Sequence, residues 1–220
     1  MKYLLAFVNI LVFVTFNAFG QTISETNFSF GLSKTSSPDQ QMHWNENPPP
    51  TYIVLNASKL WYREKQRISF GKELGFNLQY SNIDLDSGGN GGHSFYSGNI
   101  ISLFADAALL AHFRISNTVA FSFGPEAEIL MIGKNNLKSS YYLSYTNPPC
   151  SGKNYETGLN RNYFNQPSFG IKLSLFESKF TNKTTLGLNF SYLWTKSEPA
   201  NFYAANYARI SFLVGFKQKK

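Results

Sequence analysis

Residues 184–194 read Thr-Thr-Leu-Gly-Leu-Asn-Phe-Ser-Tyr-Leu-Trp. In an extended chain, Thr184, Leu186, Leu188, Phe190, Tyr192 and Trp194 fall on one face, and Thr185, Gly187, Asn189, Ser191 and Leu193 on the other. Successive side chains of a strand point to opposite sides, so a period of two marks a strand with one bulky apolar face and one small, mostly polar face. Working outward from this stretch, the pattern returns in 206–216, where Ala208, Ile210, Phe212, Val214 and Phe216 oppose Tyr207, Arg209, Ser211, Leu213 and Gly215. It returns again in 70–80, 168–176 and 119–131, and more weakly in 27–33, 52–62 and 100–113. Most of these eight segments reach the ~9–11 residues that a tilted strand needs to cross a bilayer, and the first is short.

The connections alternate in length. Long links fall at about 34–50, 84–95, 133–163 and 195–205, and short turns at 63–67, 114–117 and 177–183. Short turns at one end and long loops at the other characterise transmembrane barrels. The polar faces decide which side is outside. They are built from Gly, Ser, Asn and Ala with about one charge per strand, whereas a water-facing surface carries many more Lys and Glu. Small polar residues suit the narrow lumen of an eight-stranded barrel, and the apolar face then meets lipid. The expected fold is an all-β, eight-stranded antiparallel up-and-down transmembrane β-barrel.

Composition agrees with this reading. Charged residues make up 15% of the 220 and aromatic residues 17%, and mean hydropathy is only -0.24. A soluble domain carries about 25% charge, so the chain is charge-poor without the long apolar runs of a helical membrane protein. Residues 1–20 read as a signal peptide, with basic Lys2, an apolar stretch from Tyr3 to Phe16, and small residues Ala18 and Gly20 before Gln21. Cleavage near Gly20/Gln21 leaves residues 21–220 as the barrel domain, with a destination in the outer membrane. Without Lys2 the formal charge falls from +7 to +6. The basic residues are scattered among strand ends and turns, as suits a membrane surface, and no nucleic-acid partner is expected. The lone Cys150 forms no internal disulfide.

Charges on the inner face must be paired to be buried cheaply. Glu73, Asp106, Glu126 and Glu128 come from strands three to five, and Lys172 and Arg209 from strands six and eight, which predicts an ion-pair network that plugs the lumen. Lys59 and Lys72 fall on the expected lipid face, which calls either for a position near the interface that lets them snorkel or for a slip of the register there. Pro125 has no amide hydrogen to give a neighbouring strand, which predicts a bulge beside Gly124. Trp61, Tyr62, Tyr80, Trp194 and Phe216 stand at strand ends, where an aromatic girdle belongs.

The alternating strands, the leader ending Ala18-Phe19-Gly20 and the last strand Arg209-Ile210-Ser211-Phe212-Leu213-Val214-Gly215-Phe216 resemble those of the small bacterial outer-membrane barrels. The likeness is OmpA/OmpX-type in architecture and closer in style to the PorT-like barrels of Bacteroidota. It covers essentially all of 21–220. The resemblance implies a Gram-negative source, insertion with the help of periplasmic chaperones and barrel-assembly machinery that read the last strand, and outer-membrane lipids as partners. Four residues follow Phe216, so that signal is not strictly terminal.

Little points to chemistry. His43 and His93 fall in expected outer loops and His112 near the opposite end, so the best Ser/His/acid set is His93-Ser94 with Asp84 or Asp86, a commonplace loop composition. Three scattered His and one Cys make no metal site, and no cofactor is expected. Gly88-Gly89-Asn90-Gly91-Gly92 reads as a flexible loop. Three functions stand open. The first is a non-enzymatic barrel with a plugged polar lumen, acting structurally, as accessory to an envelope complex, or by binding an extracellular ligand or envelope protein through its loops. Tyr141, Tyr142, Tyr145 and Tyr155 favour this, since tyrosine gives contact area at low entropic cost. The second is a narrow pore for small solutes, and the third an outer-leaflet lipid-modifying enzyme.

Overall fold

The computed structural model describes residues 23–36, 51–63, 67–89, 92–143, 150–159, 167–181, 183–195 and 206–218. The leader, His43 and Tyr145 lie outside them. Among the described residues nine strands follow one another: β1 (Ile23–Ser36), β2 (Thr51–Tyr62), β3 (Ile68–Gly89), β4 (Gly92–Arg114), β5 (Val119–Leu143), β6 (Cys150–Leu159), β7 (Ser168–Thr181), β8 (Thr184–Thr195) and β9 (Asn206–Gln218). All pairings are antiparallel. β1, β2, β3, β4, β5, β7, β8 and β9 close on themselves through β9–β1 and β4–β5, forming an eight-stranded barrel. β6 stands outside the ring and pairs with β5.

The register fixes the barrel's shape. From Arg114 the paired residues run through Ala120, Phe176, Gly187, Leu213, Ser29, Asn56 and Asn77, and return to β4 at Phe104. Phe104 lies ten residues before Arg114, so one circuit displaces the chain by ten residues. With eight strands that stagger tilts them roughly 40° from the barrel axis.

The alternation seen in sequence sorts the two faces. Burial in β2 and β9 switches residue by residue. The exterior carries exposed Phe28, Phe30, Leu55, Phe76, Ile171, Leu188, Ile210 and Phe212. The buried side holds Asn27, Asn77, Ser122, Ser174, Asn189 and Ser211. This is the inverse of a water-soluble barrel and defines a lipid-facing wall. At one end a tight turn joins β4 to β5, where Ile115 N–H donates to Val119 O (3.0 Å), and Arg114 N–H donates to Arg67 O (2.9 Å) beside the start of β3. Ser116 Oγ accepts from the backbone of Thr118 (3.2 Å) and Val119 (3.0 Å), the local bonding that makes serine a turn residue.

Three sequence expectations change. Within 84–95 and 133–163 the described residues are strand rather than loop. β3 and β4 stay paired from Ile68↔Phe113 to Gly89↔Gly92, taking in most of the glycine-rich run, and β5 continues to Leu143 against β6. The polar composition reflects surroundings without lipid, not loss of strand. The bulge sits elsewhere, with Leu103 opposite Ile132 and Phe104 opposite Leu130, so that Met131 is the extra residue. At Pro125 the register is unchanged. Pro125 is opposite Ile171 on β7, and its ladder to β4 lapses between Ala108↔Glu126 and Ala111↔Phe123. The missing amide hydrogen thus costs an interrupted ladder rather than an inserted residue.

Candidate functional site: the closed lumen and the projecting sheet

Glycines opposite the large inner side chains make the lumen's contents fit. A Cβ at Gly75 would lie 2.8 Å from Asp106 Oδ1 and 2.6 Å from Ser58 Cβ, and one at Gly215 would lie 2.1 Å from Glu25 Oε1. The space these glycines leave is filled by charge. Lys172 Nζ, on β7, lies 3.0 Å from Glu73 Oε2 and 4.0 Å from Glu126 Oε1. Arg209, on β9, lies 3.8 Å from Glu126 Oε1 through Nη1 and binds Glu128 Oε1 through Nη2. Glu128 also accepts from Asn77 Nδ2 and the Tyr207 hydroxyl, and Glu73 accepts from Ser58 Oγ at 2.5 Å. Strands β3, β5, β7 and β9 are thereby tied together across the interior.

Asp106 lies in the same layer, 3% exposed, yet neither carboxylate oxygen has a hydrogen-bond partner among the described residues. The cluster thus brings four carboxylates together with two cations, and Asp106 joins neither cation directly. All five carboxylates among the described side chains, Glu25 included, are buried inside the wall.

Toward the short-turn end the lumen turns apolar. Ile23, Leu60, Tyr62, Ala108, Leu110, Phe176 and Leu213 form a buried cluster. The sequence reading made the inner face polar and missed this plug. Its signal was available as the leucines at even positions 60 and 110 and odd position 213, each in phase with inner-facing neighbours. Tyr62 is corrected with it. Only 4% exposed, Tyr62 points inward, donates from its hydroxyl to Glu25 Oε2 (3.2 Å) and packs on the His112 ring at 4.5 Å between centroids. Consecutive strand residues cannot both face lipid, and Trp61 holds the outer position. His112 Nδ1 shares a 2.7 Å hydrogen bond with Ser122 Oγ. A cavity of about 70 Å³ opens here, lined by Glu25, Tyr62, His112, Thr185 and Lys217 among others.

The remaining girdle residues are on the outer wall. Trp61 is half-buried, Trp194 and Phe216 are exposed, Trp194 meets Tyr192 edge-on at 5.0 Å, and Phe216 meets Phe28 edge-on at 6.4 Å. Tyr80, half-buried, donates to Asn82 Oδ1 at 2.7 Å.

At the other end β3, β4 and β5 outrun the barrel. β3 has 22 residues, roughly 55 Å along the axis at about 2.5 Å per tilted residue, against an apolar band of ~25 Å. β6 adds a fourth strand through Lys134↔Leu159 to Leu143↔Cys150, making a projecting sheet in the order β3-β4-β5-β6. Tyr142 is exposed on it, and the Tyr141 ring lies over Gly152, where a Cβ would sit 2.3 Å from the ring. Tyr155 is in β6, opposite Lys138. His93 and Ser94 are paired backbone positions of β4, opposite Tyr142 and Tyr141. Among the described residues no group of His, Cys, Asp and Glu is arranged to hold a metal.

By sequence, the chain matches no family model and no curated protein. By structure, it is similar to the attachment invasion locus protein Ail of Yersinia pestis, crystallised with the heparin analogue sucrose octasulfate. That match has 10% identity and a TM-score of 0.47, covering 90% of this chain and 100% of Ail. Neisserial surface protein A gives 9% identity and a TM-score of 0.42 over 91% and 98% of the two chains. The COG4313 outer-membrane channel of Pseudomonas putida F1 gives 8% and 0.34 over 91% and 97%.

Proposed function

We propose that this chain is a non-enzymatic outer-membrane barrel that is closed to solutes and acts through the sheet it projects, as a binding surface for an extracellular ligand or another envelope protein. The observation that carries this reading is the contrast between the barrel's two ends. The interior is occupied by the Leu60/Leu110/Phe176/Leu213 plug and the Lys172/Arg209 ion pairs, each member 7% exposed or less. The projecting sheet adds paired backbone beyond the membrane, and Tyr141 and Tyr142 on it supply rigid amphipathic contact area. The last strand, Arg209 to Phe216, presents alternating apolar residues to assembly machinery during insertion, with periplasmic chaperones holding the chain beforehand.

Two measurements test this. Single-channel recording of the refolded protein, its folding checked by the gel-mobility shift between unheated and boiled samples, is expected to give a silent bilayer. Reproducible conductance steps would make it a pore. Cells displaying the full chain are expected to adhere to one another or to matrix-coated surfaces more than cells displaying a barrel from which residues 137–156 have been cut. Equal adherence of both would remove the binding role.

A further inference from the structure

On the outer wall of the β2–β3 hairpin, near the short turn, two cations share one indole. Trp61 is paired directly with Lys72, and Lys59 lies two residues before Trp61 on the same face. The Lys59 and Lys72 ammoniums each lie 5.8 Å from the Trp61 ring centroid. All three are half-buried against the wall. Phe70, two residues from Lys72 on the turn side, is 84% exposed, and Arg63 is exposed where β2 ends.

Lysine on a lipid-facing wall is costly, and a charged group within the membrane marks a functional site by default. Lys59 stands four residues before Arg63, about 10 Å along the axis, so its four-carbon stem carries the ammonium toward headgroup level. The indole holds both cations at that level by cation–π attraction. Two ammoniums gathered on one ring are a complement for an anion with several acceptor oxygens. On this wall the neighbouring outer side chains Leu55, Phe76 and Leu78 are exposed and apolar, as an acyl chain requires.

We propose that Lys59, Trp61 and Lys72 form a binding site for the phosphate of an anionic phospholipid, whose acyl chains lie along Leu55, Phe76 and Leu78. Both ammoniums donate to phosphate oxygens while the indole covers the glycerol region. The site lies at the short-turn end and therefore faces the phospholipid leaflet. It rests on the reading of the chain as an outer-membrane barrel.

The test uses the full chain carrying Trp44→Phe and Trp194→Phe, so that Trp61 alone fluoresces, refolded into phosphatidylcholine vesicles. Acyl-brominated phosphatidylglycerol is expected to half-quench Trp61 at roughly thirtyfold lower mole fraction than brominated phosphatidylcholine, a preference of the size two lysines confer. Adding Lys59→Gln and Lys72→Gln is expected to make the two lipids equal. Equal quenching before those changes, with the gel-mobility shift present, overturns the site and leaves the barrel standing. A preference that survives both lysine changes overturns the assignment to Lys59 and Lys72. Absence of the mobility shift in every lipid overturns the barrel reading, and the site falls with it.

Discussion

The Arg209 guanidinium binds the Glu128 carboxylate across the lumen, although their strands, β9 and β5, are separated in the wall by β8 and β7. Removing one partner of a buried pair leaves the other charge uncompensated, which costs about 3–5 kcal/mol. Arg209→Met is therefore expected to lower the unfolding free energy of the refolded barrel by that order, and with it the urea midpoint followed by tryptophan fluorescence. Arg209→Met combined with Glu128→Gln is expected to recover part of the loss. An unchanged midpoint in the single variant would mean that the pair contributes nothing to stability.

Asp106 makes the opposite prediction. It adds a fourth carboxylate to a layer with two cations, and its oxygens have no hydrogen-bond partner among the described residues. Asp106→Asn keeps the shape and removes the charge, so it is expected to raise the unfolding free energy by about 1 kcal/mol, and the midpoint with it. A lowered midpoint would show that the carboxylate is needed where it stands.

Gly75 has no room for a side chain beside Ser58 and Asp106. Gly75→Leu is expected to abolish the gel-mobility shift, because a branched side chain must displace buried backbone or charge. Gly71, whose nearest neighbours would lie at 3.1 Å and beyond, is expected to accept Ala with a smaller loss. Equal behaviour of the two variants would contradict the packing described.

The opposite directions of Trp61 and Tyr62 are checked by labelling. In a chain carrying Cys150→Ser, cysteine placed at Trp61 and carrying a nitroxide is expected to be relaxed strongly by oxygen dissolved in the lipid, and cysteine at Tyr62 weakly. A chain in which both respond alike would have a different register in β2.

Packing inside the plug is tested by Leu213→Ala. Leu213 is buried in the apolar cluster, and truncating such a leucine costs about 2–5 kcal/mol. The midpoint is expected to fall accordingly while the bilayer remains silent, because the ion-pair layer is untouched. Conductance in this variant would place the seal in the plug alone.

The wall of the barrel was legible in the sequence because lipid on one side and a narrow lumen on the other impose opposite demands on alternate residues, as at Leu188 and Asn189. Where the strands leave lipid that contrast vanishes, so Asp84 to Phe95 and the end of β5 read as loops while their backbones stay paired. The run Ile129-Leu130-Met131-Ile132 is apolar throughout, so its bulge left no trace in the pattern. Tyr62 was misplaced by counting aromatics at a strand end rather than following parity from Leu60. For the lumen, alternation gives a residue's face but not its depth. That Lys172 meets Glu73, and Arg209 meets Glu128, depends on the ten-residue stagger accumulated around the ring, which no single strand encodes.

The unbroken ladder of β3 and β4 has a mechanical meaning. A pull on the projecting sheet is delivered along hydrogen-bonded backbone straight into the membrane-embedded wall, because no linker intervenes between the two. The inter-strand bonds that join the projecting strands to the rest of the wall, β3 to β2 and β5 to β7, then lie across the direction of the load and share it in shear. The part that meets the outside world is anchored as stiffly as the barrel itself, and tension is resisted by many bonds at once instead of being shed one bond at a time.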